Sequence, residues 1–198
     1  MMQPKEIIFS IFPKGYRNRR GVAVLAARPQ QTQTIRWVGE YIKSERARWA
    51  TETLRSMIGS GSKEELSDFK KLNFELATFA GVFNYRNARS ILTRSSLMVL
   101  DIDDLSSTSE ARCIQQQLVS DPAVETALCF VSPKGIGVKW VVRLPEWTQG
   151  CDHKTAFQML KQHVGFEYGI AVDQSGSDIC RACFLPYDPG CYINQIYL

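Results

Sequence analysis

The run Leu97-Met98-Val99-Leu100-Asp101-Ile102-Asp103-Asp104 sets two carboxylates at i and i+2 where an apolar stretch ends. If that stretch is a strand, side-chain alternation puts Asp101 and Asp103 on one face, about 6–7 Å apart along the backbone. Two like charges held side by side are costly unless a cation neutralises them. Hard oxygen ligands with no nearby His favour Mg²⁺ or Mn²⁺ over zinc. The plainer use of such residues is to open a turn or cap the next helix, for which Asp104 and Ser106 are placed.

Two further segments carry matching chemistry. Ser132-Pro133-Lys134-Gly135-Ile136-Gly137-Val138-Lys139 combines two glycines with two lysines, so that backbone amides and ammonium groups could cradle a triphosphate. It is not a Walker A loop, since it lacks the Gly-Lys-Ser/Thr ending, and alone it also reads as a hairpin turn. Ile170-Ala171-Val172-Asp173 repeats the pattern of an apolar strand end carrying an acid, which makes Asp173 the better third metal ligand and leaves Asp178 to cap or brace. Arg181 would stand beside the acids, pairing with Asp103 or binding a phosphate. Tyr187-Asp188-Pro189-Gly190 reads as a turn without chemistry.

The elements that must bring these segments together follow from hydrophobic period. A strand is predicted over 97–102, a helix over 107–119, strands over 126–131 and 137–144, a helix over 153–168 and a strand over 180–185. The order βαββαβ is that of the ferredoxin-like unit, in whose sheet the first strand runs between the third and fourth and opposite to both. The end of the first strand then meets the starts of the other two, and the three polar segments share one rim. Upstream, a strand is expected from Glu6 to Phe12 and one helix from Ile35 to Met57. Gly59-Ser60-Gly61-Ser62 interrupts the pattern, and Ser62 with Glu65 reads as a capping box.

Charge is unevenly spread. Residues 1–60 hold 11 Lys or Arg against 4 acids, net +7, whereas residues 61–198 hold 13 against 16, net −3. A basic subdomain over 1–65, with Lys14, Arg17, Arg19, Arg20 and Arg46 facing a phosphate backbone, would thus precede a mildly acidic domain over 66–198. Solvated helix faces are also Arg-rich without such a partner. Six cysteines suggest zinc weakly: Cys180 and Cys183 have knuckle spacing and Cys191 follows, but no second pair exists. Reduced thiols are expected, with Cys113 and Cys129 as buried small residues. No apolar run is long enough for a membrane span and no signal peptide is evident, so the expected location is cytoplasmic.

Leu100-Asp101-Ile102-Asp103, Val131 through Lys139, Val172-Asp173 with Ser175 through Arg181, and Tyr187-Asp188-Pro189 together resemble the N-terminal domain of virulence-associated protein E, over about residues 66–194. That domain is similar to archaeo-eukaryotic primases, whose palm has a ferredoxin-like or RRM-like core. The resemblance implies an α+β fold with such a palm and an N-terminal α/β subdomain. It implies a metal-dependent primase-polymerase of a mobile element or phage, with Asp101, Asp103 and Asp173 as catalytic metal ligands for Mg²⁺ or Mn²⁺. Ser132, Lys134, Gly135, Gly137, Lys139 and Arg181 would contact the incoming NTP or dNTP, a DNA template would be the partner, and a helicase domain would act in the same polypeptide or in trans. One position departs from the pattern: many primases hold the triphosphate with a His in the second motif, and here His153 and His163 both fall on a predicted helix, leaving Lys139 as the available charge. Two other readings of the same residues are a non-catalytic nucleic-acid-binding replication module and a metal-dependent nuclease.

Overall fold

The computed structural model describes residues 6–198, so the first five residues of the expected basic subdomain lie outside it. Over the described residues the chain is a mixed α/β structure of open antiparallel sheets and five α-helices. In chain order these are β1 (Ile8–Phe12), β2 (Tyr16–Arg17), β3 (Ala23–Val24), β4 (Gln31–Thr34), α1 (Ile35–Lys43), α2 (Arg48–Ser56), α3 (Lys63–Asn73), β5 (Leu76–Thr78), β6 (Gly81–Phe83), β7 (Ile91–Arg94), β8 (Leu97–Ile102), α4 (Thr108–Val119), β9 (Thr126–Val131), β10 (Val138–Arg143), α5 (His153–Tyr168), β11 (Cys183–Phe184) and β12 (Tyr192–Ile193).

One four-stranded sheet has the order β12-β9-β10-β8 and the other β11-β5-β1-β4. All of β8 and β9 is buried, because both faces of their sheet are covered. Met98, Leu100 and Ile102 point toward Ala111 and Leu118 of α4 and Phe157 and Leu160 of α5. Leu97 and Val99 point the other way, into a second core with Phe9 and Ile11 of β1 and Ile35 and Val38 of α1. Double coverage explains why β8 reads as an unbroken apolar run. It also fixes where Asp101 points: by alternation it shares the face of Leu97 and Val99, the one covered by the first part of the chain. Residues on either side of position 65 share both that core and the β11-β5-β1-β4 sheet.

Five of the six expected core elements form close to the expected limits, and the sixth does not join their sheet. The strand expected over 180–185 shortens to β11 and pairs with β5, Cys183 opposite Ala77. β8 is therefore bonded to β10 alone within its sheet, rather than lying between two strands. Its open side is met by an irregular segment in which the Asp173 N–H donates to the Asp101 carbonyl at 2.8 Å. Past that bond the chain turns into a 3-10 helix, Gln174–Ser177, capped by Asp173. Gly176 fits there only because it has no side chain: a Cβ would stand 2.5 Å from the Phe157 ring and 3.1 Å from the Val99 carbonyl.

The single helix expected from Ile35 to Met57 is also two. Ser44 breaks it with an extended backbone, φ −79° and ψ 160°, its hydroxyl donating to the Tyr41 carbonyl at 2.7 Å. Serine competes for backbone partners in this way and so ends helices it could otherwise continue. The capping box of α3 forms as read, with Glu65 N–H donating to Ser62 Oγ at 3.2 Å and Ser62 N–H to Glu65 Oε2 at 2.7 Å. The cap of α4 is Ser107; Asp104 instead takes a left-handed backbone, φ 59°.

Candidate metal centre and its cleft

Antiparallel register sets Lys139 of β10 directly opposite Asp101 of β8, so both side chains leave the same face. Lys139 Nζ lies 2.8 Å from Asp101 Oδ2 and 3.6 Å from Asp103 Oδ1. Asp173 arrives from the opposite side through its backbone bond to Asp101. One oxygen from each of Asp101, Asp103 and Asp173 lies within 4.8 Å of the others. Among the described residues this is the one group of three or more His, Cys, Asp or Glu side chains close enough to share an ion.

Arg181 joins the acids, with a partner other than the one expected. Its Nη2 lies 3.1 Å from Asp101 Oδ2 and 3.4 Å from Asp173 Oδ2; it does not pair with Asp103. The reason is the path of the chain, since Arg181 comes from the turn after Asp173 rather than from a strand beside β8. Three carboxylates thus face two cations. Burial pulls the Lys139 ammonium down, but Asp101 and Asp103 outweigh it and hold the group above its ordinary value. Burial pushes the Asp173 carboxyl up, while two bonds from Ser175 and the charges of Arg181 and Lys139 bring it below its ordinary value.

Asp101 is 2% exposed, and its Oδ1 is buried without a hydrogen-bond partner among the described residues. A buried carboxylate oxygen in that state is expensive and calls for an explanation. The donor set is all carboxylate oxygen, which fits Mg²⁺ or Mn²⁺. Asp101 and Asp173 are anchored by hydrogen bonds, whereas Asp103, just beyond the strand, is exposed and able to adjust.

Asp101 and Asp103 open onto a cleft of about 290 Å³ lined also by Asp104, Ser132, Lys134, Lys139, Arg181, Lys70 and Phe184. A larger cavity, about 670 Å³, lies at the opposite end of β8 around Leu97, Arg143 and Cys151, away from the carboxylates. The loop after β9 forms a tight turn, Gly135 N–H donating to the Ser132 carbonyl at 2.9 Å, with Gly135 at φ 84°. The space beside its glycines is filled by protein. A Cβ on Gly137 would stand 2.6 Å from the Ile102 carbonyl, and one on Gly135 would stand 3.2 Å from both Arg55 Nε and Thr108 Oγ1. The glycines therefore let the loop press against β8 and α2. Arg55 of α2 braces it, donating from Nε to the Pro133 carbonyl at 3.2 Å.

None of the basic residues named for the first segment lines the acidic cleft. Lys14, Arg17, Arg19, Arg20 and Arg46 are all exposed. Arg17 is partly used, bonding the Gly21 carbonyl at 2.6 Å and Asp68 at 3.4 Å. Arg46 lies 5.9 Å from the centre of the Tyr41 ring. Lys14 and Arg46 both lie near Glu75, whose carboxyl burial pushes up and these two cations hold down. The β2-β3 hairpin reaches the cleft only at its end, through Leu25.

All six cysteines are unpaired, and Cys113 is exposed on α4 rather than buried as expected, since its position falls outside the apolar stripe of Ala111, Ile114 and Leu118. His153 Nε2 lies 3.2 Å from the Gly176 carbonyl, and His163 Nε2 lies 2.7 Å from Asp121 Oδ2. Three residues that matter were not singled out for the site from sequence. Lys70 and Arg55 look like ordinary basic positions on solvated helices, and Asp188 like a turn residue. Only the packing of α2 and α3 against the loop and cleft distinguishes the first two.

No helix among the described residues is long and apolar enough to cross a membrane. Neither the curated proteins nor the solved structures contain a match to this chain. The model of one family matches residues 69–193, a span that holds all three carboxylates, the Ser132–Lys139 loop and Arg181, and the chain belongs to that family, the BT4734-like, N-terminal domain.

Proposed function

We propose that this chain is a metal-dependent nucleotidyltransferase of the primase-polymerase type, with a ferredoxin-like palm formed by β8, α4, β9, β10 and α5. The observation that carries the reading is the convergence of Asp101, Asp103 and Asp173 within 4.8 Å, with one buried Asp101 oxygen unpartnered. Asp101 and Asp173 would be the fixed ligands of such an ion and Asp103 the adjustable one. Bound Mg²⁺ or Mn²⁺ would activate the attacking hydroxyl and offset charge on the phosphate under attack. Lys134 and Arg181 would hold and orient the phosphates of an NTP or dNTP, and Lys139 would keep Asp101 aligned through its ion pair. The 3′-hydroxyl of a templated primer, or an initiating nucleotide, would bond to the α-phosphorus as pyrophosphate leaves. The exposed arginines of the β2-β3 hairpin would follow the DNA template by charge.

The test is incorporation of labelled nucleotide on a primed template with Mn²⁺ or Mg²⁺. Asp101→Asn and Asp103→Asn are expected to reduce synthesis to background while still melting cooperatively; polymer made by either variant refutes the reading. One observation favours a second reading, a nucleic-acid-binding module without catalysis: Lys139 Nζ already occupies Asp101 Oδ2 at 2.8 Å, where a metal would compete with it. That module would bind DNA in a salt-sensitive way and incorporate nothing in any metal.

A further inference from the structure

The cleft has two electrically distinct halves. On one side Asp101 and Asp103 are offset by Lys139 and Arg181, which are engaged in ion pairs. On the other, Lys70 of α3 and Lys134 line the same cleft with no carboxylate at ion-pair distance among the described residues. Lys70 is partly buried and reaches across the Phe184 ring, its Nζ 5.8 Å from the centroid. Burial lowers the Lys70 ammonium below its ordinary value, and the charges of Lys134 and Lys139 lower it further, against the opposing charge of Asp103. Flexible lysines normally swing into water and spread apart. Here α3 is pinned at its start by the capping box and at its end by Gly15 N–H donating to the Lys71 carbonyl at 2.7 Å. The neighbouring Lys71 follows the ordinary course and pairs with Asp68 at 3.0 Å.

Two ammonium groups lining one cleft outside any ion pair, with the carboxylates of Asp101, Asp103 and Asp104 elsewhere on its wall, match a ligand that is itself divided: an anionic chain at one end and a metal-binding phosphate at the other. We infer that Lys70 is a phosphate-binding residue, and that with Lys134 it holds the terminal phosphates of a nucleoside triphosphate whose α-phosphate faces Asp101 and Asp103. The inference rests on the nucleotidyltransferase reading for its substrate, but its geometry does not need a metal. Phosphates could also reach these lysines as the backbone of a nucleic acid, so the test must separate the two sources.

Binding of inorganic tripolyphosphate, ATP, AMP and a single-stranded oligonucleotide is measured by titration calorimetry with EDTA present, on wild type, Lys70→Gln and Lys70→Arg. Lys70→Gln is expected to weaken tripolyphosphate and ATP by about tenfold, the scale of one charge-assisted hydrogen bond, and Lys70→Arg to restore most of it. AMP and oligonucleotide affinities should stay within twofold of wild type. The inference is overturned if wild type fails to bind tripolyphosphate, if Lys70→Gln binds it as well as wild type does, or if oligonucleotide binding falls in parallel. Unchanged melting of Lys70→Gln keeps a folding defect out of the comparison. Because these titrations contain no metal, an enzyme that incorporates nothing yet shows the Lys70 effect defeats the catalytic reading and leaves the phosphate site standing.

Discussion

Asp101 and Asp188 are both buried carboxylates facing an arginine, yet their surroundings treat them differently. Asp188 is 1% exposed and is bonded through both oxygens to Arg112. It also accepts from Val131 N–H at 2.8 Å and Gly190 N–H at 3.0 Å. Its four acceptor positions are filled, and it clamps the 187–190 turn onto β9 and α4. Asp101 crowds Lys139 and Arg181 onto one oxygen and leaves the other bare. Burial and an arginine partner are thus common to a structural clamp and a candidate site. What separates them is whether the lone pairs are used up.

The largest expected effect tests the clamp. Asp188→Asn removes a charge opposite Arg112 and should cost about 3–5 kcal/mol in urea unfolding. Asp101→Asn should cost clearly less, because Asp103 and Asp173 remain to face Lys139 and Arg181; equal losses would erase the distinction. Next in size is ligand linkage. Mn²⁺ at a hundred times its dissociation constant should stabilise the wild type by about 2.7 kcal/mol in thermal melts and Asp101→Asn not at all. A shift retained in Asp101→Asn would put the ion elsewhere. Gly137→Ala, whose methyl would crowd the Ile102 carbonyl, should cost about 1–3 kcal/mol and weaken Mn²⁺ binding by displacing the end of β8.

The smallest effect concerns the turn behind Asp173. Burial holds the His153 imidazole below its ordinary value near 6.5, with the bond to the Gly176 carbonyl opposing. The unfolded chain therefore takes up a proton first. Stability should be complete above pH 6.5 and decline as the pH falls through that value toward the lower folded one. His153→Gln should flatten this slope in urea unfolding series; an unchanged slope would remove His153 from the support of the 174–177 turn.

Much of the local structure was legible before folding. The apolar runs of β8, β9 and β10 and the helical period of α4 and α5 mark their elements, and Ser62 and Glu65 announce α3. Asp101, Asp103 and Asp173 were legible as a set through the pattern of an acid at an apolar end. The failures are of another kind. Cys183 and Phe184 look the same whether they pair beside β8 or with β5, because pairing is a contact between distant segments and leaves no local trace. Ser44 fits a helical stripe until its hydroxyl finds the Tyr41 carbonyl. Asp188 reads as a turn because its use depends on Arg112, 76 residues away.

The amino-acid order alone determined which residues bear charge at the ends of apolar runs, and with them the kinds of chemistry open to the chain, since side-chain alternation and helical period act over a few residues. Tertiary structure decided which of those charges meet. It brought Asp173 to Asp101 without a second strand beside β8, turned α3 so that Lys70 enters the cleft, and filled both oxygens of Asp188 while leaving one oxygen of Asp101 open. Those outcomes depend on how two sheets share a core, and burial across that core acts between segments whose separation along the chain carries no signal.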